Sequence, residues 1–444
     1  MKYYATAVYR IVLCSMLIAA PAMGSGLSAV EKLGKSIFFD KNLSINKNQA
    51  CAACHGPDVG WTGPDAEINA GGSVYEGSVS GLFGNRKPPS SAYATQSPIF
   101  HSIGKNPVEF EGGNFWDGRA TGEKLGNPAA DQAQGPFLNP VEQALPDAAC
   151  VVERVCSARY AGNFDRVWGE DACDIEFPDN IDEVCSDPEG TVDLDEENRF
   201  KVNAAYDSIA LSIAAFEGSS KSNQFTSKFD AFLAGRTSLT KKEKRGLRLF
   251  RGKGKCANCH TLDGGSKDPL LTDYTFDNLG VPRNPDNPWY KMVDFNPDGK
   301  GWIDLGLGGF LETRDDYAQF AKESYGKQKV PTLRNVDKRP YFRFTKAYMH
   351  NGYFKSLKTV VHFYNTRDTK ERCDDPFTTE EEALEMDCWP EPEVAVNVNS
   401  KELGDLGLSG KQERAIVAFM KTLSDGYQVG DDDDDDSDDD SNED

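Results

Sequence analysis

The sequence predicts a mainly α-helical protein made of two similar halves, and two observations lead to this prediction. The motif Cys-x-x-Cys-His occurs twice, at residues 51–55 and 256–260. Each copy follows a stretch with apolar residues at helical spacing, residues 33–39 before the first copy and 245–250 before the second. Most other periodic segments are also helical, among them residues 208–216, and strand signals are scarce. We therefore expect one helical module used twice, with a period too long for a solenoid.

The chain opens with the pattern of a secretory signal, predicted over residues 1–24. Lys2 and Arg10 precede an apolar run from residue 11 to residue 20, and the small residues Ala20-Pro21-Ala22 follow. The run is too short to span a bilayer, although a membrane anchor is the alternative interpretation. No other apolar stretch of the sequence reaches spanning length. We therefore expect export to the periplasm or the outer surface of a bacterium, with no transmembrane span.

The two Cys-x-x-Cys-His motifs predict two covalently attached c-type haems. Two thiols at this spacing reach the two vinyl groups of one porphyrin, and the histidine that follows them ligates the iron. A redox dithiol and half of a zinc site are the alternatives for a single motif. Here both copies carry the histidine, and the chain has no further Cys-x-x-Cys to complete a zinc cage. The predicted attachment and ligand residues are Cys51, Cys54, His55, Cys256, Cys259 and His260.

A domain boundary is predicted near residue 235. The polar stretch 218–223 and the run Ser238-Leu239-Thr240 separate the two motif-bearing halves. This division gives two cytochrome c-like domains, residues 27–235 and 236–427, each with one covalently bound haem.

Charge is concentrated at the C-terminal end. The formal net charge is -22, and residues 431–444 are almost all acidic. Like charges at this density cannot pack, so residues 428–444 are predicted to be a disordered acidic tail. So acidic a chain argues against nucleic acid as a partner.

The cysteines outside the two motifs predict disulfide bonds. Once Cys14 leaves with the signal segment, an even number remains, as expected in an exported protein. Four lie close together and two flank a later segment, so we expect two bridges and one bridge, with the pairing of the first four left open. These cysteines are Cys150, Cys156, Cys173, Cys185, Cys373 and Cys388.

Ordered motifs beyond the haem sites carry a resemblance to a known family. They occupy residues 115–120 (Phe-Trp-Asp-Gly-Arg-Ala), 132–136 (Gln-Ala-Gln-Gly-Pro), 139–142 (Asn-Pro-Val-Glu), 330–336 (Val-Pro-Thr-Leu-Arg-Asn-Val) and 348–352 (Tyr-Met-His-Asn-Gly). With them, the chain resembles the bacterial di-haem cytochrome c peroxidase family, and within it the MauG-like branch, from about residue 29 to residue 423. Insertions near residues 143–200 and 366–395 depart from the family pattern and hold the six cysteines. We expect these insertions to be disulfide-stapled surface elaborations.

The resemblance implies that hydrogen peroxide reacts at the first haem. Glu142 occupies the position of the acid–base carboxylate, which moves a proton from one peroxide oxygen to the other. Gln132 and Pro136 match residues that shape the same pocket, and Trp116 matches the tryptophan between the two haems. By residue type alone, Glu142 would be a surface carboxylate and Trp116 would be core packing.

The resemblance also implies the second ligand of each iron. Ordinary members cap the first iron with a histidine soon after the first motif, but residues 56–100 contain none, so this iron is expected to be open. His101, interpreted as a loop residue, is the rival ligand. Tyr364 stands where ordinary members have a methionine and MauG-like members a tyrosine, with Met349 as the alternative ligand. A phenolate favours high-valent iron and lowers the potential, whereas a thioether raises it.

Calcium is left open by the sequence. Relatives bind calcium between the haems with an asparagine and with carbonyls before the His-x-Gly motif, but Lys87 stands at the asparagine position and cannot ligate a cation. Either Asn85 and the carbonyl of Thr345 hold the ion, or the site differs or is empty. The Asp-Asn-Asp run at residues 294–298 lacks a closing glutamate and predicts an Asx-rich turn instead.

The resemblance implies a peroxide-driven enzyme. We expect peroxide to form a high-valent iron state shared by the two haems, which oxidises aromatic residues of a partner protein; some relatives convert tryptophan to kynurenine at a copper-binding site. The alternatives are a conventional di-haem peroxidase fed by a small redox protein and an exported electron-transfer cytochrome. The electron exit is open, because Gly254 falls where the MauG branch has a surface tryptophan. Its candidates are Trp289, Trp302 and Trp389.

Overall fold

The computed structural model describes residues 26–105, 107–262 and 268–430. The predicted signal segment and the acidic run that begins at Asp431 lie outside the described residues. Helices are the main regular elements of the described residues, as predicted. They are α1 (Ala29–Phe38), α2 (Ala66–Ala70), α3 (Pro128–Leu138), α4 (Ala148–Cys156), α5 (Ala161–Trp168), α6 (Ile181–Val184), α7 (Glu196–Glu217), α8 (Lys228–Leu233), α9 (Lys241–Arg251), α10 (Leu307–Leu311), α11 (Leu357–Thr366), α12 (Glu380–Glu385) and α13 (Gly410–Lys421). Among them, no helix is both long and apolar enough to cross a membrane.

Strands are short and form three separate two-stranded sheets within the described residues. The pairs β1–β2 and β3–β4 are antiparallel, and β5–β6 is parallel. The strands are β1 (His101–Ile103), β2 (Glu109–Glu111), β3 (Phe276–Asp277), β4 (Gln328–Lys329), β5 (Glu371–Arg372) and β6 (Cys388–Trp389). None is long enough to organise a core, so the helices do so.

The first core forms around α7, the longest helix. Helix α1 begins with a capping box at Ser28 and buries Leu33, Ile37 and Phe38 against α7. The packing is close at Gly34, where an added Cβ would overlap the carbonyl oxygen of Ser212 on α7. Helices α3 and α4 also pack against α7.

The second core repeats this arrangement around α13. Helix α9 begins with a capping box at Thr240 and packs along α13. At Gly246, an added Cβ would overlap the carbonyl oxygen of Ala415 on α13. Gly34 and Gly246 belong to the two similar stretches that precede the haem motifs, so each half carries the same close helix pair at the same place. The exact domain boundary near residue 235 remains a prediction.

A smaller apolar cluster joins the halves. It contains Phe100 and Phe110 from the first half and Phe276, Leu307 and Leu311 from the second. Phe100 stacks on Phe110 with ring centroids 5.3 Å apart and meets Phe276 edge-on at 6.1 Å. The strands β1, β2 and β3 therefore serve to bring the two halves together.

The six cysteines form three disulfides, as predicted. Their pairs are Cys150–Cys185, Cys156–Cys173 and Cys373–Cys388. The expectation of surface elaborations holds only in part, because each insertion also buries side chains in a core. Helix α4 of the first insertion buries Val151, Val152 and Val155 completely against the α7 core. The physical reason is that its apolar residues recur at helical spacing and have α7 to pack against.

The second insertion also enters the core. Trp389 has no exposed surface and meets the ring of Phe363 on α11 edge-on, with centroids 5.2 Å apart. Glu393 is buried and accepts a hydrogen bond from the backbone N–H of Asp304 at 3.1 Å. This insertion therefore supplies side chains to the interior of the second half, beside the helix that carries Tyr364.

Candidate functional site

The first motif folds into a tight turn that aims its histidine. Cys51–Ala53 is a single 3-10 turn, and the N–H groups of Cys54 and His55 both donate to the carbonyl of Cys51. Nδ1 of His55 lies 3.2 Å from the carbonyl oxygen of Trp61. A carbonyl only accepts, so Nδ1 carries the proton and Nε2 keeps its lone pair. Burial lowers the pKa of His55 to about 4, which keeps the imidazole neutral and able to ligate a metal.

The second motif has the same local structure. Cys256–Asn258 forms the 3-10 turn, and the N–H of His260 donates to the carbonyl of Cys256 at 2.9 Å. Nδ1 of His260 lies 2.9 Å from the carbonyl oxygen of Leu271, and burial lowers the pKa of this imidazole. None of the four motif cysteines forms a disulfide. Paired thiols beside a neutral, oriented imidazole fit a covalently held haem in each half.

Two cavities adjoin the motifs. The first cavity is lined by His55, Gln132 and Glu217, among others, and has about 670 Å³ of empty space, its opening included. The second cavity is lined by His260 and Tyr364, among others, and has about 1660 Å³ on the same measure. The second is large and mostly apolar, as expected for the site of a large planar prosthetic group.

Trp116 lines both cavities and is held between them. It is 8% exposed, and its indole N–H donates to the backbone carbonyl of Lys87 at 2.9 Å. Its own carbonyl accepts the N–H of Lys329, another residue that lines both cavities, at 2.7 Å. The structure therefore brings the predicted bridging tryptophan to the wall shared by the two cavities.

The predicted acid–base residues lie beside the first cavity. Gln132 lines it from α3, and Pro136 follows one turn later on the same face of that helix. Glu142 is not part of the lining, but its carboxylate lies near the first motif, where burial is the main cause that raises the pKa of the Cys51 and Cys54 thiols and Glu142 adds to it. Burial raises the pKa of Glu142 itself, against a 2.9 Å hydrogen bond from Asn139. The carboxyl group is therefore biased toward holding a proton.

One carboxyl group of this site was missed by the sequence reasoning. Glu217, at the last position of α7, is 4% exposed and lines the first cavity beside His55. Burial raises its pKa to about 8. The signal available in the sequence was an acidic residue at the end of the apolar run 208–216, a pattern that equally suits a solvated helix end.

Tyr364 and Met349 both line the second cavity. Tyr364 lies on α11 near Cys256 and Cys259, and burial followed by these thiols raises the pKa of its phenol. Met349 holds a left-handed backbone conformation, with φ of 69°, within the 348–352 motif. The structure thus brings both predicted ligand candidates to the cavity of His260, and the choice of Tyr364 over Met349 stays a prediction.

The remaining histidines make other contacts. His101 is exposed on strand β1 rather than in a loop, and it is outside the lining of both cavities. Nδ1 of His362 lies 3.1 Å from a carboxylate oxygen of Glu413. His350 is buried in the wall of the second cavity with Nε2 3.3 Å from a carboxylate oxygen of Glu393. His101 therefore lies in neither cavity.

The calcium candidates are not assembled into a cation site. The carbonyl of Asn85 accepts the side-chain amide of Asn287 at 2.9 Å, and that of Thr345 accepts the amide of Asn69 at 3.1 Å. Both oxygens therefore face hydrogen-bond donors. At residues 294–298, the buried amide of Asn296 donates to the carbonyls of Trp289 and Gly299, which is the predicted turn.

The candidate exit residues differ in exposure. Trp389 is fully buried, so it is not a surface exit. Trp289 and Trp302 are partly exposed and meet edge-on with ring centroids 6.0 Å apart. Gly254 lines the second cavity itself.

Comparison with known proteins adds a family match and named relatives. Residues 28–238 match the family model described as di-haem cytochrome c peroxidase. The chain is 32% identical to the methylamine utilization protein MauG of Paracoccus denitrificans (strain Pd 1222), over 93% of this chain and 94% of that protein. It is 24% identical to the cytochrome-c peroxidase IdrP2 of Pseudomonas sp. (strain SCT), over 92% of this chain and 84% of that protein.

Solved structures agree with this match. The diheme peroxidase BthA from Burkholderia thailandensis E264 aligns with a TM-score of 0.67 and 29% identity, covering 90% of this chain and 87% of that one. A MauG-like protein associated with microbial copper homeostasis aligns with a TM-score of 0.56 and 22% identity, covering 90% and 91%. The second likeness bears on the fold alone.

Proposed function

The chain belongs to the di-haem cytochrome c peroxidase family and carries two c-type haems, and from this premise we propose a MauG-like activity. In this proposal the enzyme uses hydrogen peroxide to oxidise aromatic side chains of a partner protein, tryptophan above all. The observation that carries it is the position of Tyr364, which lines the same cavity as His260 and both cysteines of the second motif. A tyrosine there favours storage of oxidising equivalents over uptake of ordinary electrons.

The side chains around the first cavity support peroxide chemistry. When bound, the haems supply the iron that takes two oxidising equivalents from peroxide. Glu142, with its raised pKa, is suited to accept the proton of one peroxide oxygen and return it to the other. Peroxide then leaves as two waters after taking up two protons and two electrons, and the electrons come from the partner's side chain.

The wall between the cavities supports electron sharing. Trp116 borders both cavities, and its hydrogen bond to the carbonyl of Lys87 fixes the plane of the indole. His55 and His260 are each held through Nδ1, which leaves Nε2 of both imidazoles for iron. We take Trp116 as the relay, and the partly exposed pair Trp289 and Trp302 as the first candidates for the exit.

Location and domain organisation belong to the same proposal. The signal pattern at residues 1–24 supports export to the periplasm or the outer surface. The two separate cores around α7 and α13 support two cytochrome c-like domains, residues 27–235 and 236–427. We propose that a copper-binding protein is among the partners to test first.

The proposal is tested by replacing Tyr364 in the holoenzyme. For Tyr364→His we expect both haems to stay attached while partner oxidation falls at least tenfold, and the low-spin signal of the diferric protein changes in electron paramagnetic resonance. Tyr353→Phe is the matched control, because Tyr353 also belongs to the second core but lies outside the cavity lining. Native rates of partner modification, followed by mass spectrometry, in Tyr364→His would contradict the proposal.

A conventional peroxidase is the second candidate, and the presence of Met349 in the same cavity favours it. It predicts that Met349→Leu, and not the Tyr364 variant, removes the native low-spin signal. It also predicts rapid turnover with a small reduced cytochrome or copper protein as the electron donor.

A further inference from the structure

Two lysine side chains are buried in the wall of the second cavity. Lys87 is 7% exposed and Lys346 is 5% exposed, and both line the cavity together with Trp116. They come from opposite halves of the chain. Their ammonium groups lie near each other, since Lys87 adds to the effect of burial in lowering the pKa of Lys346. Lysines are rarely this buried unless they are paired with an anion.

Neutral oxygens surround both ammonium groups. Nζ of Lys87 donates to the hydroxyl of Thr62 at 2.9 Å and the carbonyl of Pro88 at 3.0 Å. Nζ of Lys346 donates to three backbone carbonyls, which are those of Val59 at 2.8 Å, Asn335 at 2.7 Å and Lys338 at 3.2 Å. Three converging carbonyls are the kind of ligand set that calcium takes from a backbone. Here a side-chain cation occupies it.

Neither lysine forms an ion pair in the part of the chain that the structure describes. Burial lowers the pKa of Lys87 to about 7 and that of Lys346 well below its usual range, so both amines stay protonated at neutral pH only when an anion lies close to them. A buried ammonium group without a countercharge is costly, so an anion is expected in the adjoining space. A bound haem brings two propionate carboxylates, which fit this need.

Calcium itself does not fit the residues present. The carbonyls of Asn85 and Thr345 already accept amide N–H groups, and the position that is an asparagine in relatives is Lys87. A divalent ion placed here would meet two ammonium groups at short range, which repel it.

We propose that Lys87 and Lys346 replace the calcium ion of the relatives as a built-in pair of positive charges between the two haem sites. Two single charges on the chain stand in for one divalent ion and pair with haem propionates. This inference goes beyond the proposed function and holds whichever partner the enzyme oxidises. Its consequence is an inter-haem region whose charge does not depend on the calcium concentration.

The position of Lys87 links this charge to electron sharing. Its backbone carbonyl accepts the indole N–H of Trp116, so its side chain is anchored next to the relay residue. A positive charge beside Trp116 makes removal of an electron from the indole harder, and it stabilises an electron on a neighbouring haem. Removing the charge should therefore change how one electron is distributed between the two haems.

The first experiment measures calcium in the full-length holoenzyme. We expect no stoichiometric calcium by plasma mass spectrometry after dialysis against calcium chloride. We also expect identical haem absorption and paramagnetic resonance spectra with calcium and with EGTA. One tightly bound calcium per chain, or spectra that change with EGTA, would overturn the proposal.

The second experiment removes the charges. For Lys87→Gln and Lys346→Gln, which keep a hydrogen-bond donor, we expect about a tenfold change in the equilibrium that distributes one electron between the haems, or about 59 mV in the separation of their potentials. Lys228→Gln is the matched control, since Lys228 is also buried but pairs with Glu243 and lies outside both cavity linings. An unchanged separation in both test variants would refute the role of the lysines.

A third variant restores the residue of the relatives. Lys87→Asn removes one repelling charge and adds an oxygen ligand, so we expect the haem spectra of Lys87→Asn/Lys346→Gln to respond to calcium. If calcium binds equally well to the unaltered holoenzyme and to the double variant, the lysines do not exclude the ion and the proposal fails.

Discussion

At the scale of single residues, two buried carboxyl groups beside the first cavity have different surroundings. Glu142 accepts a hydrogen bond from Asn139 and lies near Arg119, both of which oppose the effect of burial on its pKa. For Glu217, burial is the cause that raises the pKa, to about 8. The pKa of Glu142 is therefore raised by burial against two opposing partners, whereas the pKa of Glu217 lies above neutral pH.

The roles of the two carboxyl groups are separable by matched substitutions. For Glu142→Gln we expect the reaction of the holoenzyme with peroxide to slow by about 10²- to 10⁴-fold, because the group that moves the proton is lost. Glu217→Gln preserves the neutral form and should stay within a few fold of the wild-type rate. Stopped-flow absorption of the haems measures both rates. A slower reaction in Glu217→Gln than in Glu142→Gln would reverse the assignment.

Glu217 also predicts a pH dependence of stability. Its folded pKa of about 8 lies above the unfolded value, so the folded state keeps a proton that the unfolded chain has already lost. Stability should therefore fall as pH rises from about 4.5 to 8, by up to a few kcal/mol, since each pKa unit corresponds to about 1.4 kcal/mol. Glu217→Gln should flatten this decline in thermal unfolding of the holoenzyme. An equal slope in wild type and variant would contradict the burial of this group.

Some residues of the site are predictable from a local sequence pattern, and others are not. The haem attachment residues are predictable because the thiols and the imidazole lie within five consecutive positions, 51–55. Glu217 reaches the first cavity from the end of α7 and Lys346 reaches the second from an irregular segment, and no local pattern marks either residue. Tyr364 was reached only by resemblance, because a tyrosine on an apolar helix usually serves as packing.

At the scale of elements, the close pairs α1–α7 and α9–α13 are the most regular feature of the fold. Gly34 and Gly246 permit them, since a methyl group at either position would overlap a backbone carbonyl of the facing helix. The helical stretches before both motifs were predictable from their apolar spacing. Their partners were not, because the sequence does not state which distant helix each one meets.

Alanine at the two helix crossings should destabilise the half that contains it. We expect Gly34→Ala and Gly246→Ala each to cost about 1 to 3 kcal/mol, because the backbones must separate to admit a methyl group. Gly162→Ala is the control, since this helical glycine of α5 has open space around the added Cβ and should gain about 0.5 to 1 kcal/mol. Thermal unfolding followed at the haem absorption bands gives the comparison. Equal midpoints in all three variants would mean that the crossings are looser than described.

The insertions show where element-level prediction failed. Their cysteines indicated covalent staples, and the three bridges are present. Disulfides do not determine whether an insertion is buried. That depends on whether its apolar side chains pack against an apolar face of another element. Trp389 and the valines of α4 do find one, so both insertions contribute to the cores.

At the scale of the whole molecule, a buried chain of charges joins the two halves. Arg86 pairs with Asp117 in the first half and with Asp304 in the second, with N to O distances of 2.6 Å in both cases. Burial alone would raise the pKa of both carboxyl groups, but the Arg86 guanidinium lowers it below the usual range. Asp117 follows Trp116 directly, so this contact between the halves also holds the wall shared by the two cavities.

Removing the positive charge of Arg86 should lower the free energy of unfolding of the whole molecule. For Arg86→Met we expect a loss of about 3 to 5 kcal/mol at neutral pH, because two buried carboxylates lose their shared cation and Asp117 keeps only the half-exposed Arg119. Arg119→Met is the matched control, since Arg119 also pairs with Asp117 but its side chain is 45% exposed, and its loss should cost no more than about 1 kcal/mol.

The pH dependence of this loss follows from the sign of the shifts. A lowered folded pKa contributes stability above the unfolded value, about 3.9 for aspartate, and that contribution disappears as pH falls through the folded pKa. In Arg86→Met, Arg86 no longer opposes the effect of burial, so the pKa of both carboxyl groups rises. Protonation at acid pH then removes the cost of the buried charges in the variant, whereas it removes stabilising ion pairs from the wild type. The difference between their unfolding midpoints should therefore shrink as pH falls below about 5. A constant difference between pH 7 and pH 4 would show that the ion pairs with Arg86 do not hold the two halves together.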